Sequence, residues 1–387
     1  MFESKIKHNI REDKMEAVIN EVQWLSLAEE IGEIFSKYAA EHDRKATFVE
    51  KNYEILKRHG FLKIIIPAEF GGAGLSYREV CEILRIIGSN CGSTGLALSM
   101  HQHLVAANVW KYKKGQGGEN VLKKVADNNL VLVSTGARDW LESNGEMKRT
   151  EGGFIVSAKK HFASQSSGGD ILVTSAPYLD PEEGWQVLHF SVPFKTDGVF
   201  VINDWYTMGM RGTGSNTVLL NSVFVPDLSI VLKRSKGKFH PFWSVVLTVA
   251  MPLIMSVYIG IAEKAASIAI EQTKKRKPYK EHITMLIGEM YNELTAAKVQ
   301  WNDMINICNN FDFIPTDERA SDILSRKSNV AKACINTVTK ALEVVGARSY
   351  YVDLGLERLF RDVQAGSYHP LIEKNQQLFT GEFLLRD

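Results

Sequence analysis

The sequence predicts an α+β chain in three parts: an N-terminal helical domain over residues 1–128, a middle β-barrel or β-sandwich domain over 129–233, and a C-terminal four-helix bundle over 234–387. Three observations predict it. The 387 residues exceed what one hydrophobic core usually supports. Apolar residues recur at steps of three and four from Asn20 to Val125 and again after Lys238. Between these stretches, from about Leu130, short β-rich runs separated by Gly, Asp and Pro follow one another.

Taken in order, "EVQWLSLAEEIGEIFSKYAAEH" and "SYREVCEILRIIGSNCGSTGLALSMHQHLVAANVWKY" carry the helical spacing of the first part, with "IIIPAEFGGAGLS" as a turn-rich connector. The runs "LVLVSTGA", "GGFIVSAKKHFAS", "DILVTSAP", "WQVLHFSVPF", "GVFVINDWY" and "NTVLLNSVFVP" predict a compact all-β unit ending near Pro226. The uncharged stretch from Pro241 to Ala262 is about long enough to cross a bilayer. Pro252 near its middle, the hydroxyls of Ser244, Thr248, Ser256 and Tyr258, and its continuation into "EKAASIAIEQTKKRK" favour a helix buried in a bundle. In "RKSNVAKACINTVTKALEVVG", Ala331, Cys334, Ile335, Val338, Leu342 and Val345 share one helical face, and Gly346 stands where a helix usually stops.

Composition narrows the function classes. With 46 basic and 45 acidic residues the net charge is +1, which gives no electrostatic reason to expect nucleic acid or an anionic membrane as partner. Cys81, Cys91, Cys308 and Cys334 lack both metal-ligand spacing and a disulfide framework, so reduced thiols and no metal are expected. "MFESKIKHNIREDKMEAV" is charged where a secretory signal needs an apolar stretch, and a cytoplasmic location is the expectation.

Four motifs then point the same way. "IPAEFGGAGLSYREVCEIL", "MGMRGTGSNTVLLNSVFVP", "RKPY" followed by "HITMLIGEM", and "LEVVGARSYYVDLGLERLFRD" resemble, in order and over nearly the whole chain, the acyl-CoA dehydrogenase superfamily. That resemblance implies a flavin between the β domain and the C-terminal bundle, its dinucleotide tail reaching a neighbouring subunit. It places Ser134 and Thr135 at the isoalloxazine edge, Phe162 and Ser164 against the ring near N5, and Arg276 on the pyrophosphate. These residue types suit a flavin, because a flat ring wants an aromatic wall, its edge wants hydrogen-bonding hydroxyls, and phosphate wants a guanidinium fork. FAD, an acyl-CoA or other small organic substrate, an electron acceptor and a homo-dimer or homo-tetramer are the corresponding expectations.

The sequence departs from the family at the catalytic base. Such a dehydrogenase needs a carboxylate to remove the α-proton of an acyl thioester. One family position for it falls on His369 and Pro370, the other on Ala250, and neither carries an acid. Glu373, four residues past His369, is the alternative base. The tail-binding motif is altered to Glu343, Val344, Val345, Gly346 and Ala347, where a glutamate would repel pyrophosphate. Arg348 and Ser349 just beyond could grip a single terminal phosphate, which makes FMN, or reduced flavin supplied by a partner reductase, the alternative cofactor.

A flavin monooxygenase branch of the superfamily, resembling dibenzothiophene monooxygenase, lacks that glutamate. It has a histidine in the C-terminal loop and another near the end of an N-terminal helix, matched here by His369 and by His101 with His103. An imidazole can give or take a proton near neutral pH, and on a helix only one of two histidines spaced by two can face a given site. Three readings stay open: an acyl-CoA-type flavin dehydrogenase, a reduced-flavin monooxygenase with His369 and His101 as acid and base, and a non-catalytic flavin- or acyl-binding protein.

Overall fold

The computed structural model describes residues 2–136, Asp139 and 141–386, with side chains from Gln23 onward. The N-terminal part holds α1 (Phe2–Lys45), α2 (Glu50–Arg58), α3 (Tyr77–Asn90), α4 (Gly92–Lys113) and α5 (Glu119–Asn128). Ser76 starts α3 with a capping box: its hydroxyl accepts from the Glu79 amide while the Glu79 carboxylate accepts from the Ser76 amide.

The middle part has β1 (Leu132–Ser134), β2 (Glu146–Thr150), β3 (Gly153–Ala163), β4 (Ile171–Asp180), β5 (Gly184–Pro193), β6 (Val199–Ile202), β7 (Asn216–Pro226) and β8 (Ile230–Ser235). They form two four-stranded sheets, ordered β1-β4-β5-β8 and β2-β3-β7-β6. This is a two-sheet sandwich, which corrects the barrel alternative. The first sheet opens with the parallel pair β1 and β4, whose register sets Ser134 beside Val173. Strand β8 lies beyond the expected end at Pro226. Its Lys233 and Arg234 hide the strand from a hydrophobic reading, yet Arg234 is buried and hydrogen-bonds the Leu141 and Asp139 carbonyls and His189 Nε2.

The C-terminal part has three long helices, α6 (Pro241–Lys274), α7 (Glu281–Cys308) and α8 (Asp317–Val345), and the shorter α9 (Leu356–Val363) and α10 (Glu373–Leu384). Helix α6 contains the uncharged stretch, and its most apolar window is wholly buried inside the protein. It packs on α7, α8 and α9 on one side and on α3 and α4 of the N-terminal part on the other. The expected four-helix bundle is therefore three long helices closed by helices from the other end of the chain.

Two glycines set how closely α6 approaches α3. A Cβ on Gly260 would lie 2.1 Å from the Arg85 carbonyl oxygen, and one on Gly88 would lie 2.8 Å from Val257 backbone. The Arg85 guanidinium then reaches Glu263 at 2.6 Å beside the crossing. Gly260→Ala should lower unfolding stability by about 2–3 kcal/mol, because backbone has no room to yield. Gly288→Ala on α7, where a Cβ meets nothing within 4 Å, should raise it by about 0.5–1 kcal/mol. Urea unfolding of the two variants checks both signs.

Candidate active site

Where the sandwich, α4, α6 and the loop after α9 converge, they enclose a cavity of ≈ 550 Å³. Strand ends supply one wall. Ser134 and Thr135 stand at the end of β1, and Phe162 and Ser164 at the end of β3, all four lining the cavity. A register shift between Lys160 and Ala163 turns β3 outward here, and Phe162 takes a left-handed backbone with φ 57°. Such a conformation in a bulky residue costs about 1–3 kcal/mol and clusters at functional positions. The ring is 65% exposed and meets Trp205 edge-to-face, centroids 6.1 Å apart. Aromatic edge and hydroxyls together make a step that a flat heteroaromatic ring can cover.

Behind this step lies a closed polar network. Ser164 Oγ accepts from Ser215, whose hydroxyl also meets Thr213 at 2.7 Å. Thr135 donates to the Asp139 carboxylate, which also takes Thr174 at 2.9 Å and the Lys160 ammonium at 3.0 Å. Burial pulls the Lys160 pKa down from its ordinary value, while Asp139 counters by favouring the charged form. Asp139 is the one carboxylate among the described residues lining the cavity, and its oxygens are already engaged.

The opposite wall is apolar. Leu96 and Met100 of α4 and Trp243, Val246, Ala250 and Ile254 of α6 face the cavity. Ala250 thus occupies the wall where a base on α6 would stand. Glu373 is exposed on α10, accepts from Gln377, and does not line the cavity, so the displaced-base expectation is corrected.

Three imidazoles do line it, His369, His103 and His189. His189 on β5 is taken up by the sandwich: its Nε2 accepts from the Arg234 guanidinium at 2.9 Å, and burial, then the Arg234 charge, push it down to about 3. His369 Nε2 lies 2.7 Å from the Tyr258 hydroxyl on α6, and Lys327 of α8 donates to the His369 carbonyl at 3.1 Å. Burial, then the Lys327 charge and His103, push His369 down to about 3. Burial pushes His103 down to about 4, with His101 adding to it. His101 itself is not at the cavity. Its Nε2 meets the Leu62 carbonyl at 2.7 Å and its Nδ1 accepts from the Leu132 amide at 3.0 Å, tying α4 to β1. Two positions along a helix turn a side chain through roughly 200°, and here the turn brings His103 to the cavity in place of His101.

The Arg361–Asp362 element pins these walls together. Arg361 clasps Asp43 of α1 through both guanidinium nitrogens, and buried Asp362 accepts from the Met210 amide. Burial raises the Asp362 carboxyl to about 6.

Arg276, Gly346, Arg348 and Ser349 are gathered elsewhere. Arg276 donates to the Val345 carbonyl at 3.1 Å, beside Gly346 at the end of α8. Arg348 grips Asp353 with both terminal nitrogens, and Ser349 is buried. None of the four lines the cavity within one chain. The site residues that the sequence motifs did not single out include Asp139, His189, Trp205, Tyr258 and Lys327. Buried charges hide inside strand and helix patterns that read as solvated, and only the inward position of Lys160 on alternating β3 hinted at them.

Comparison with known proteins gives a consistent picture. The family model described as acyl-CoA dehydrogenase, N-terminal domain, matches residues 26–129, and that described as acyl-CoA dehydrogenase, C-terminal domain, matches residues 253–374. YdbM of Bacillus subtilis (strain 168), which carries the name of an acyl-CoA dehydrogenase, is 25% identical over 373 residues, spanning 90% of this chain and 93% of that protein. Dibenzothiophene monooxygenase of Mycolicibacterium goodii is 24% identical over 383 residues, spanning 89% of each. KijD3, solved with FMN and dTDP-3-amino-2,3,6-trideoxy-4-keto-3-methyl-D-glucose, superposes with a TM-score of 0.85 over 95% of this chain and 94% of its own, at 22% identity.

The buried imidazoles fix an acid limit. An unfolded histidine takes up a proton near pH 6.5, whereas His103 in the fold does so only near 4. Stability from this neutral ring is complete above pH 6.5 and is lost as pH falls through that window. Between pH 7 and pH 5 the wild type should lose about 2 kcal/mol more than His103→Gln, measured by urea unfolding at both pH values.

Proposed function

Because the chain belongs to the acyl-CoA dehydrogenase superfamily, we propose that it is a reduced-flavin-dependent monooxygenase of that fold, taking FMN and a small, largely apolar organic substrate. One observation carries the reading: apart from His189, which is engaged by Arg234, the cavity offers two neutral imidazoles, His103 and His369, and no uncommitted carboxylate among its described lining residues. The carboxylate that removes the α-proton of an acyl thioester in a dehydrogenase of this family has no free counterpart here. A neutral imidazole can donate a hydrogen bond to an oxygen atom or take a proton from a substrate. The name of the monooxygenase relative and the FMN held by KijD3 support the same choice.

The residues present fit an isoalloxazine ring. The exposed Phe162 ring backed by Trp205 supplies a flat wall, and Ser134, Thr135 and Ser164 supply hydroxyls at its edge. Reduced flavin, when bound, supplies the two electrons that activate dioxygen. The apolar face built by α4 and α6 keeps bulk water from the substrate, which strengthens each hydrogen bond made inside. Arg276, Gly346, Arg348 and Ser349 lie off the cavity, so they serve a phosphate carried by the flavin of a neighbouring copy in a homo-oligomer. A separate flavin reductase is the implied partner. The dehydrogenase reading draws its support from names, those of the two matching family models and of the Bacillus relative.

Two measurements decide. Protein loaded anaerobically with reduced FMN and then mixed with oxygen should release hydrogen peroxide at least tenfold more slowly than free reduced FMN. Oxidised, flavin-loaded protein should stay coloured when a panel of acyl-CoA thioesters is added anaerobically. Peroxide release at the free rate together with bleaching by an acyl-CoA would establish the dehydrogenase instead.

His369→Ala should abolish most of that peroxide retention, by tenfold or more, while the Kd for reduced FMN stays within about twofold. Arg276→Ala should weaken FMN binding by about 2 kcal/mol, as loss of a charged hydrogen bond to phosphate does. Titration of each variant with FMN separates the two roles.

A further inference from the structure

We infer that Tyr258 is a positioning residue that holds His369 in its Nδ1–H tautomer, so that His369 serves the cavity as a hydrogen-bond donor and leaves proton acceptance to His103. The tautomer follows from geometry alone, and its use rests on the oxygen chemistry proposed above.

Tyr258 is fully buried on α6, its ring tilted 58° to the His369 ring at 5.4 Å between centroids. Its oxygen lies 2.7 Å from His369 Nε2, and among the described residues no other acceptor is within hydrogen-bond distance of it. A phenol has one proton to give. If Nε2 carried a proton and donated, the phenol proton would be buried without an acceptor. The satisfied arrangement has the phenol donating and Nε2 accepting. In a neutral imidazole the remaining proton then sits on Nδ1.

The surroundings keep this arrangement neutral and still. Burial raises the Tyr258 phenol well above its ordinary value, with Asp362 adding to that, so it remains a donor. The Lys327 ammonium, almost wholly buried on α8, donates to the carbonyls of both His369 and Leu371. It fixes the loop and places a positive charge that opposes protonation of the ring. Burial pulls Lys327 down to about 8, and Glu373 acts in the opposite sense, so the ammonium is charged at neutral pH. His103 on α4 faces the same ring and also disfavours a second positive charge. His369 can thus give a hydrogen bond through Nδ1, but taking up a second proton, at Nε2, would displace the Tyr258 hydrogen bond and create an imidazolium between a buried lysine and a second histidine. His103 has no such ammonium clamp among the described residues, and it is the ring that exchanges a proton with substrate.

The test uses the full chain without flavin, labelled with 15N-histidine, and reads the nitrogen shifts of His369 assigned against His369→Gln. At pH 7 the wild type should show a protonated Nδ1 and a pyridine-like Nε2, retained down to pH 5. Tyr258→Phe should shift the ring toward the ordinary Nε2–H form and raise its apparent pKa by at least one unit. It should also shorten peroxide retention by reduced FMN tenfold, whereas His369→Asn, whose amide NH2 mimics Nδ1–H, should be indifferent to Tyr258→Phe. A wild-type ring protonated on Nε2, or an imidazolium at pH 7, overturns the inference, as does an unchanged tautomer in Tyr258→Phe. If that variant does not fold, the wild-type spectrum alone decides. An Nδ1–H ring in a protein that fails to retain peroxide would overturn the monooxygenase reading and leave the role of Tyr258 intact.

Discussion

The backbone contact between α3 and α6 is the constraint on which the rest of the structure depends. Gly88 and Gly260 let the two helices approach until carbonyl and Cα nearly touch, and the Arg85–Glu263 pair stands beside the crossing. Helix α6 is thereby shared: it is the core of the C-terminal bundle and the partner of the N-terminal helices at once. One face of that same helix presents Ala250 and Ile254 to the cavity, and a turn further on it presents Tyr258 to His369. Site and scaffold are one element here, so packing and chemistry cannot vary independently.

Burial also decides the chemistry. An imidazole in water titrates near neutrality, but His103 and His369 lie among apolar side chains that disfavour the charged form. A carboxylate at either place would have to be held ionised in the same surroundings, which needs partners. Asp139 shows what that takes, with Lys160, Thr135 and Thr174 all spent on one acid. The chain therefore combines a saturated anion with neutral rings around one cavity.

Much of this was legible in the amino-acid order. Helical spacing and the switch to short β-rich runs located the three parts, because period follows directly from which face is buried. Ser134, Thr135, Phe162, Ser164 and His369 were readable from motif order and do line one cavity. What escaped were features that depend on rotation and on long-range pairing. His101 and His103 differ by two positions, and only the docking of α4 against β1 tells which ring turns inward. Tyr258 sits in a helix buried on every side, where one more ring carries no sign of its partner. Lys160, Arg234 and Lys327 read as solvated charges, yet each is buried because carbonyls and acids from distant segments meet it.

The close crossing of α3 and α6 also bears on how molecules come and go. Neither helix can roll about its axis or slide lengthwise without driving main chain into main chain, so this flank of the chamber behaves as a fixed jamb. Across the chamber the segment from Trp205 to Met210 is tied down too, by the Met210 amide on Asp362, the Arg361 guanidinium on the Met208 carbonyl and the Trp205 amide on Asn216. Both flanks of the chamber are thus framed by main chain held from distant parts of the sequence.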